Sequence, residues 1–147
     1  MAAEVVLLTE NNLHPYVALT LELWPDCDYR EEELFYRAIL NSVNDYCALA
    51  KNEQRYVGFI HIAIRSDHVE GADTDKTAYL EGIYIQPSFR RTHLATLLLK
   101  EGERWAISKG FTQLASDTEI ANFHSQLFHK NNGFEEVNRI VCFLKNL

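Results

Sequence analysis

A short apolar strand pattern, a proline, a basic turn and a long helical pattern follow one another in one stretch, and this junction constrains the fold most. The strand pattern Ile83–Ile85 ends just before the proline, Arg90 and Arg91 form the basic turn, and the helical pattern begins at Leu94. N–H groups in the first turn of a helix lack partners within the helix and lie at its positive end, where they can bind a phosphate. The junction predicts either an anion-binding corner or an ordinary strand-to-helix connection with two solvated arginines.

Hydrophobic patterning along the rest of the chain predicts an α+β fold in a single domain, residues 1–147. The predicted element order is β α α β β β α β α β β, and the three consecutive strands predict an antiparallel meander. The predicted strands are Val5–Thr9, Tyr46–Ala50, Tyr56–Arg65, Ala78–Ile85, Thr112–Ser116 and a last pair ending with Ile140–Leu144. The predicted helices begin near Pro15 or span Arg30–Leu40, Leu94–Gly110 and Ile120–Asn131.

Composition excludes several classes of function. A formal net charge of −7 makes the chain a poor partner for the phosphate backbone of nucleic acid, whereas a cationic partner suits it. No run of about 18 apolar residues is present, so we expect no membrane span. Cys27, Cys47 and Cys142 are widely separated and follow no leader-like segment, so we expect free thiols in the cytoplasm. His124 and His129 have the wrong spacing for two metal ligands on one helical face, so we expect no metal.

The fourth predicted helix carries a polar stripe. Asn122, Ser125 and His129 lie within about 60° of one another around a helix. Asn122 could hold the amide of a ligand, and His129 could transfer a proton near neutral pH. A surface helix with ordinary polar residues is the alternative. The opposite side is expected to face the core with Ile120, Phe123 and Leu127.

Three further residues are candidates for a site. Glu81 lies inside an apolar strand pattern and is a candidate general base or cation anchor, unless its side chain simply faces solvent. Asp117 follows a predicted strand, where aspartate often serves as the N-cap of the next helix. Trp24 either stacks on a sugar ring or anchors its own loop. Acidic residues crowd positions 22–33 and 67–75, and would concentrate a polycation if these segments flank a cleft.

The element order and two motifs resemble those of the Gcn5-related N-acetyltransferase (GNAT) superfamily. The family's phosphate-binding signature is Gln or Arg, two residues, Gly, one residue, then Gly or Ala, and Arg90–Ala95 reads RRTHLA. The second motif runs from Asn122 to Phe134, with His129 at the usual tyrosine position. The resemblance implies an acyl-CoA N-acyltransferase fold, with a central mixed, mostly antiparallel sheet flanked by about four helices, and acetyl-coenzyme A (acetyl-CoA) as cosubstrate.

A narrower resemblance is to the aminoglycoside 6′-N-acetyltransferases, and it rests on Leu23–Pro25, Leu80–Tyr84, Ala115–Thr118 and Asn122–His129. It implies acetyl transfer to the 6′-amino group of a cationic aminoglycoside, by homodimers that often pair through their C-terminal strands. The implied acceptor-binding residues are Trp24, His68, Glu81, Asp117 and Asn138. The implied residues for acetyl-CoA are Ile83, Tyr84, Ile85, Arg90, Arg91, Thr92, His93, Leu94, Ala95, Thr96 and Asn122.

Besides His129, three positions depart from the family pattern. His68 stands where related enzymes have tyrosine, and Asn138 stands where an acceptor-binding glutamate is expected, so we expect a pocket with one carboxylate fewer. His93 replaces glycine and brings a β-carbon into the phosphate turn. Because this turn opens a helix, where histidine is sterically allowed, we expect weakened rather than abolished cofactor binding.

For the reaction we expect direct attack by the amine without an acyl-enzyme, because the cysteines show no sign of a paired base. Glu81 is the expected base, the Tyr84–Ile85 backbone would polarise the carbonyl, and His129 would protonate the leaving sulfur. Two alternatives remain. The acceptor could be another amine, on a polyamine, a metabolite or a protein, or the chain could be a non-catalytic acyl-CoA-binding module.

Overall fold

The core of the molecule is a five-stranded sheet in which the strands stand in their chain order. The computed structural model describes residues 3–147. The strands are β1 (Ala3–Leu7), β2 (Asp45–Asn52), β3 (Arg55–Arg65), β4 (Thr77–Ile85) and β5 (Leu114–Ser116). Strands β1 to β4 pair antiparallel, and β5 runs parallel to β4. The expected meander and the mixed, mostly antiparallel sheet are confirmed.

Four α-helices accompany the sheet, as expected. They are α1 (Leu13–Leu23), α2 (Tyr29–Ala38), α3 (Leu94–Ser108) and α4 (Phe123–Asn131). The carboxylate of Asp28 accepts a hydrogen bond from the Glu31 N–H at 3.0 Å and so caps the acidic first turn of α2. No helix within residues 3–147 combines the length and the hydropathy that crossing a bilayer requires.

Strand β3 is buried on both faces, which is why its sequence is almost continuously apolar. Phe59 packs with α1 and α2 on one face, whereas Ile60 and Ile62 pack against α3 on the other. The Tyr16 hydroxyl of α1 donates a 2.8 Å hydrogen bond to the Ile60 carbonyl and ties that helix to the middle of the strand. Alternation along one strand therefore divides the core into two layers.

A β-bulge interrupts the pairing of β3 with β4. His61 pairs with Gly82 and Ile62 pairs with Leu80, so Glu81 is the extra residue. A bulge changes the direction in which its side chains point. The Glu81 side chain lines the same cavity as Trp24, and the Trp24 ring lies against Gly82, so the bulge turns two consecutive residues of β4 toward the α1–α2 face.

Strands β4 and β5 pair only at the beginning of β4. The parallel pairing runs from Ala78 opposite Leu114 to Leu80 opposite Ser116. Within the described residues, the Ile83–Ile85 part of β4 therefore has a strand neighbour on the β3 side only. This edge leads directly into the turn before α3. Because β5 does not extend along it, the backbone groups of the edge are available to a ligand.

The C-terminal prediction is wrong for the structure described here. Residues 135–147, the C-terminal arm, contain no helix or strand, although the sequence predicts a last pair of strands ending with Ile140–Leu144. A strand requires a hydrogen-bonding partner, and the arm lies exposed instead of pairing with the sheet. The apolar run Ile140–Leu144 is therefore exposed in the arm instead of forming a strand.

The predicted core side of α4 is also wrong. Ile120 precedes the helix and is 63% exposed, while Phe123 and Leu127 are 74% and 57% exposed. Phe128 is the helix residue that packs against the core beside α3. The helix begins three residues later than predicted, and the pattern alone did not show which of its two apolar sides meets the sheet.

We expect the α3 layer to dominate stability. Replacing Leu98, which is fully buried, by alanine removes apolar contacts and leaves a cavity, and should lower the free energy of unfolding by about 2–5 kcal/mol in urea titrations. Ile107→Ala in the same helix is the control, because Ile107 is 68% exposed, and should change it by less than about 0.5 kcal/mol. Equal effects of the two substitutions would contradict this packing.

Candidate active site

A cavity of about 360 Å³ opens on the α1–α2 side of the sheet, next to the bulge in β4. Its wall combines one indole, three carboxylates, a phenol and an imidazole, a composition suited to an amine-bearing ligand with apolar ring faces. These residues are Trp24, Glu32, Tyr36, Asp45, His61 and Glu81, and Phe35 and Ala63 complete the wall. Trp24 and Glu81, two residues predicted from the sequence to bind an acceptor, thus lie in one cavity.

Trp24 keeps its position because of the glycine beside it. A β-carbon at position 82 would lie 2.6 Å from Cη2 of the indole, closer than any tolerated contact. The indole also packs edge-on against Phe59, with ring centroids 5.7 Å apart. The ring is therefore anchored on the sheet and also forms part of the cavity wall, and its stacking on a sugar ring stays a prediction.

Glu81 is paired with an arginine that the sequence did not single out. Arg65 donates from Nε and Nη2 to the two carboxylate oxygens, at 2.8 and 2.7 Å. The guanidinium also lies over the ring of Tyr79 at 3.5 Å from its centroid, and the Tyr79 hydroxyl donates to Asp117. The two predicted acceptor carboxylates, Glu81 and Asp117, are therefore the ends of one chain of contacts. The N-cap interpretation of Asp117 is wrong, because Asn122 caps α4.

A second chain of hydrogen bonds forms the inner wall of the cavity. The Tyr36 hydroxyl lies 3.2 Å from His61 Nδ1, and His61 Nε2 lies 2.7 Å from a carboxylate oxygen of Asp45. The Ser42 hydroxyl donates to the other oxygen of Asp45 at 2.8 Å. Burial raises the pKa of Asp45, but the hydrogen bonds from His61 and Ser42 outweigh it and hold that pKa below its ordinary value.

Of these residues, the sequence could have revealed His61. It interrupts an apolar strand pattern, which is the same signal that singled out Glu81. Arg65 and Asp45 give no such signal, because a charged residue at a strand end is ordinary. Their partners lie 16 residues away in the chain and become visible only through the strand register.

The predicted anion-binding corner forms the open end of α3. The side chain of His93, the N-cap residue, makes no capping hydrogen bond, so the amides of the first turn are not blocked by it. Arg90 folds back to donate to the Ile85 carbonyl at 2.9 Å, and its guanidinium lies 5.5 Å from the centre of the Tyr84 ring. Arg91 is exposed. Of the two predicted arginines, Arg90 thus supports the corner and Arg91 is open to solvent.

The polar stripe of α4 turns toward β5. His129 Nδ1 lies 2.7 Å from the Ser125 carbonyl and Nε2 lies 2.7 Å from the Ser116 hydroxyl. A carbonyl can only accept, so neutral His129 carries its proton on Nδ1 and accepts the Ser116 hydroxyl at Nε2. Asn132, at the end of α4, joins the helix to Thr96 of α3 through a 3.3 Å hydrogen bond. Asn122 caps the helix by accepting from the Ser125 N–H at 3.1 Å.

His68 and Asn138 do not line the cavity. His68 lies exposed in the loop between β3 and β4, 3.6 Å from the carboxylate of Glu70. Asn138 lies in the C-terminal arm, and its side-chain oxygen accepts from the N–H of Arg139. Their role as acceptor contacts stays a prediction. Within residues 3–147 no group of three or more histidine, cysteine, aspartate or glutamate side chains is arranged to hold a metal ion.

Comparison with known proteins identifies this architecture. The sequence profile of the acetyltransferase (GNAT) family matches residues 10–134, which include the cavity, the corner and α4. The chain belongs to the GNAT family. The expected acyltransferase fold is thereby confirmed.

Relatives of this GNAT chain match it almost from end to end. It is 35% identical to an aminoglycoside N(6′)-acetyltransferase type 1 of Serratia marcescens, over 97% of this chain and 99% of the relative. A type 1 enzyme of Acinetobacter baumannii is 33% identical over 97% and 98%. Among solved structures, AAC(6′)-Iy in complex with the bisubstrate analog CoA-S-monomethyl-acetylneamine superposes with a TM-score of 0.94 at 30% identity, covering 100% of both chains.

The phosphate turn of this GNAT domain has a left-handed backbone at two positions. Arg91 has φ 63°, and His93, at the signature glycine, has φ 64° and ψ 11°. The expectation that His93 enjoys helix-like geometry is wrong, because a side chain in the left-handed region costs roughly 1–2 kcal/mol that glycine avoids. The backbone nevertheless adopts at His93 the left-handed conformation that glycine prefers. The amides of the turn therefore stay open, and the β-carbon of His93 adds conformational strain.

We expect His93→Gly to be more stable than His93→Ala by about 1 kcal/mol, because only glycine relieves the left-handed strain and part of that gain is offset by its freer unfolded chain. The matched control is Lys100, exposed in the middle of α3. There, glycine should be about 1 kcal/mol less stable than alanine. Urea titration of the four variants measures both differences, and the same sign at both positions would contradict the assigned backbone.

Proposed function

We propose that this chain transfers the acetyl group of acetyl-CoA to the 6′-amino group of an aminoglycoside. One observation carries the proposal: the acidic, indole-walled cavity lies beside the Ile83–Ile85 edge of β4, which leads into the open corner of α3. An amine and a thioester bound in these two places would meet at the bulge. The near full-length relatives named aminoglycoside N(6′)-acetyltransferases support the same substrate class.

The corner and the β4 edge fit acetyl-CoA. The first-turn amides of α3 suit its pyrophosphate, and exposed Arg91 adds a positive charge. The free edge of β4 suits amide groups of its pantetheine arm. When bound, acetyl-CoA supplies an activated acetyl group whose sulfur can leave. The residues proposed to hold it are Ile83, Tyr84, Ile85, Arg90, Arg91, Thr92, His93, Leu94, Ala95, Thr96 and Asn122.

Trp24, Glu81 and Asp117 are the proposed acceptor contacts. The indole offers a flat apolar face to a sugar ring, and the carboxylates offer charge-assisted hydrogen bonds to ammonium groups. Both oxygens of Glu81 already accept from Arg65, so an incoming ammonium shares or replaces that guanidinium. This geometry supports Glu81 as a cation anchor better than as a base.

The leaving sulfur requires a proton, and the Ser116–His129 pair is the proposed source. Charged His129 would donate from Nε2 to the Ser116 oxygen, and Ser116 would pass its own hydroxyl proton onward. No cysteine is needed as an acyl carrier. Burial raises the pKa of Cys47 to about 12, so its thiolate is suppressed, which supports direct attack. The three thiols and the cosubstrate are consistent with the proposed cytoplasmic location.

Release of free thiol from acetyl-CoA tests the proposed function. Aminoglycosides bearing a 6′-amine should release it, and analogues bearing a 6′-hydroxyl should not. Release with spermidine but with no aminoglycoside would instead support an acetyltransferase for another amine. Calorimetric binding of coenzyme A without any thiol release would support a non-catalytic module.

We expect Glu81→Gln to raise the acceptor KM by about 10- to 100-fold, the equivalent of losing one hydrogen bond to a charged group. The KM for acetyl-CoA should change little. Glu4→Gln is the matched control, because it removes the same charge from an exposed position of β1 and should leave both values unchanged. A fall in kcat of about 10²-fold with an unchanged KM would instead make Glu81 the base.

We also propose that the active form is a homodimer built on the C-terminal arm. The arm and α4 expose large apolar side chains that a monomer would leave in water, and contiguous patches of this kind mark protein interfaces. They are Phe123, Leu127, Val137, Ile140, Val141, Phe143 and Leu144. A second copy presents the same surface, so a two-fold pairing covers both at once.

Sedimentation velocity at micromolar concentration tests the dimer. Leu144→Asp places a charge on a side chain that is 93% exposed here and would be buried in the dimer, so it should shift the chain toward monomer. Lys145→Asp is the control at the next position and should sediment as the wild-type chain does. A wild-type chain that sediments as a monomer would contradict the proposal.

A further inference from the structure

The inner wall of the acceptor cavity contains a hydrogen-bonded chain with no role in the function proposed so far. It runs from Ser42 through Asp45 and His61 to Tyr36. The His61 residue is only 4% exposed and Tyr36 only 2%, yet both line the cavity. The hydrogen bond between them is therefore shielded from bulk solvent, and both side chains form part of the cavity wall.

The chain fixes the tautomer of His61. Asp45 accepts from Ser42 on one oxygen and lies against His61 Nε2 with the other, and a carboxylate can only accept. Neutral His61 therefore carries its proton on Nε2. Its Nδ1 has a free lone pair that accepts the Tyr36 hydroxyl. The imidazole is therefore oriented as a base, and Asp45 would stabilise the imidazolium that forms when the base takes a proton.

The reaction needs such a base in addition to its anchors. Cavity carboxylates stabilise the charged form of an amine, which has no lone pair for attack. Glu81 has both oxygens on Arg65, so it is poorly placed to take the proton that must leave. The His61 imidazole is neutral when it accepts and pairs with Asp45 once it is charged.

We propose that Tyr36 and His61 relay the proton away from the acceptor ammonium, with Asp45 as the positioning residue. This inference rests on the proposed acetyl transfer. One N–H bond of the ammonium breaks as an O–H bond forms on Tyr36, and the original Tyr36 O–H breaks as an N–H bond forms on His61 Nδ1. The freed lone pair then forms the C–N bond while the C–S bond breaks, and the leaving sulfur takes the proton delivered through Ser116. The nitrogen still carries one proton more than a neutral amide, and that second N–H bond breaks as water takes the proton. The His61 proton returns to water after the product departs.

The surroundings favour a concerted relay over a free phenolate. Burial raises the pKa of Tyr36 far above its ordinary range, and nearby anionic groups add to the effect. The titratable groups around His61 are Tyr16, Glu32, Tyr36, Asp45, Cys47 and Glu81. Three of them are carboxyl groups, and Asp45 is the one in direct contact with the ring. Glu81 is already paired with the positive charge of Arg65, so Asp45 and Glu32 are the carboxyl groups left to stabilise a positive charge on the ring.

The pH dependence of kcat, measured with an acceptor slow enough for chemistry to limit, tests the relay. In the wild-type chain kcat should fall on the acid side as the imidazolium accumulates. His61→Gln should lower kcat by about 10²-fold or more and remove that inflection. Glu81→Gln should keep it. Tyr36→Phe should also lower kcat, whereas Tyr46→Phe, a buried tyrosine of the other core layer, should leave kcat unchanged.

Asp45→Asn is a second variant in case the others fail to fold. It preserves the shape of the side chain and removes the negative charge beside His61. It should lower kcat with the acceptor KM nearly unchanged. If His61→Gln and Asp45→Asn fold with wild-type circular dichroism and keep both the wild-type kcat and the acid inflection, the chain is structural only and the relay is wrong. Wild-type turnover separately tests the proposed function, since no aminoglycoside acetylation by the wild-type chain would overturn that function whatever the variants do.

Discussion

The extra residue in β4 is the constraint on which the site depends. If β3 paired with β4 without the bulge at His61 and Ile62, Glu81 and Gly82 would point to opposite faces of the sheet. The bulge turns both toward α1 and α2, so the carboxylate enters the cavity and the glycine leaves room for the Trp24 ring. It also lies where the pairing with β5 has just ended, so the acceptor wall and the open edge of β4 meet at one point.

Charge in the cavity is balanced rather than simply negative. Glu81 is only partly exposed, and an unpaired carboxylate there would be costly, so the two-point contact with Arg65 stabilises the cavity before any ligand binds. The same contact weakens the field that an amino sugar meets. An ammonium group that binds Glu81 would therefore compete with a guanidinium that is already in place.

Pattern and composition predicted most of the fold because each element has a local signature. The apolar runs of β2 to β4 and the stripe of α3 are found within a few residues of their predicted bounds. Glu81 could be predicted as a site residue because a charge inside an apolar strand is costly without a reason. Three features could not be predicted in this way. The Arg65 contact depends on strand register, the backbone at His93 on a φ angle that histidine rarely adopts, and the exposure of the arm on tertiary packing that no local pattern shows.

The two chains of contacts divide two demands that one carboxylate cannot meet. Holding a cationic acceptor requires fixed negative charge, and fixed negative charge keeps the amine protonated. In the proposed reaction, the chain of contacts from Glu81 through Arg65 and Tyr79 to Asp117 supplies that charge. His61 is a neutral acceptor behind it, with its charge compensated only after the proton arrives. Separating the anchor from the base allows tight binding of the ammonium and loss of its proton within a single cavity.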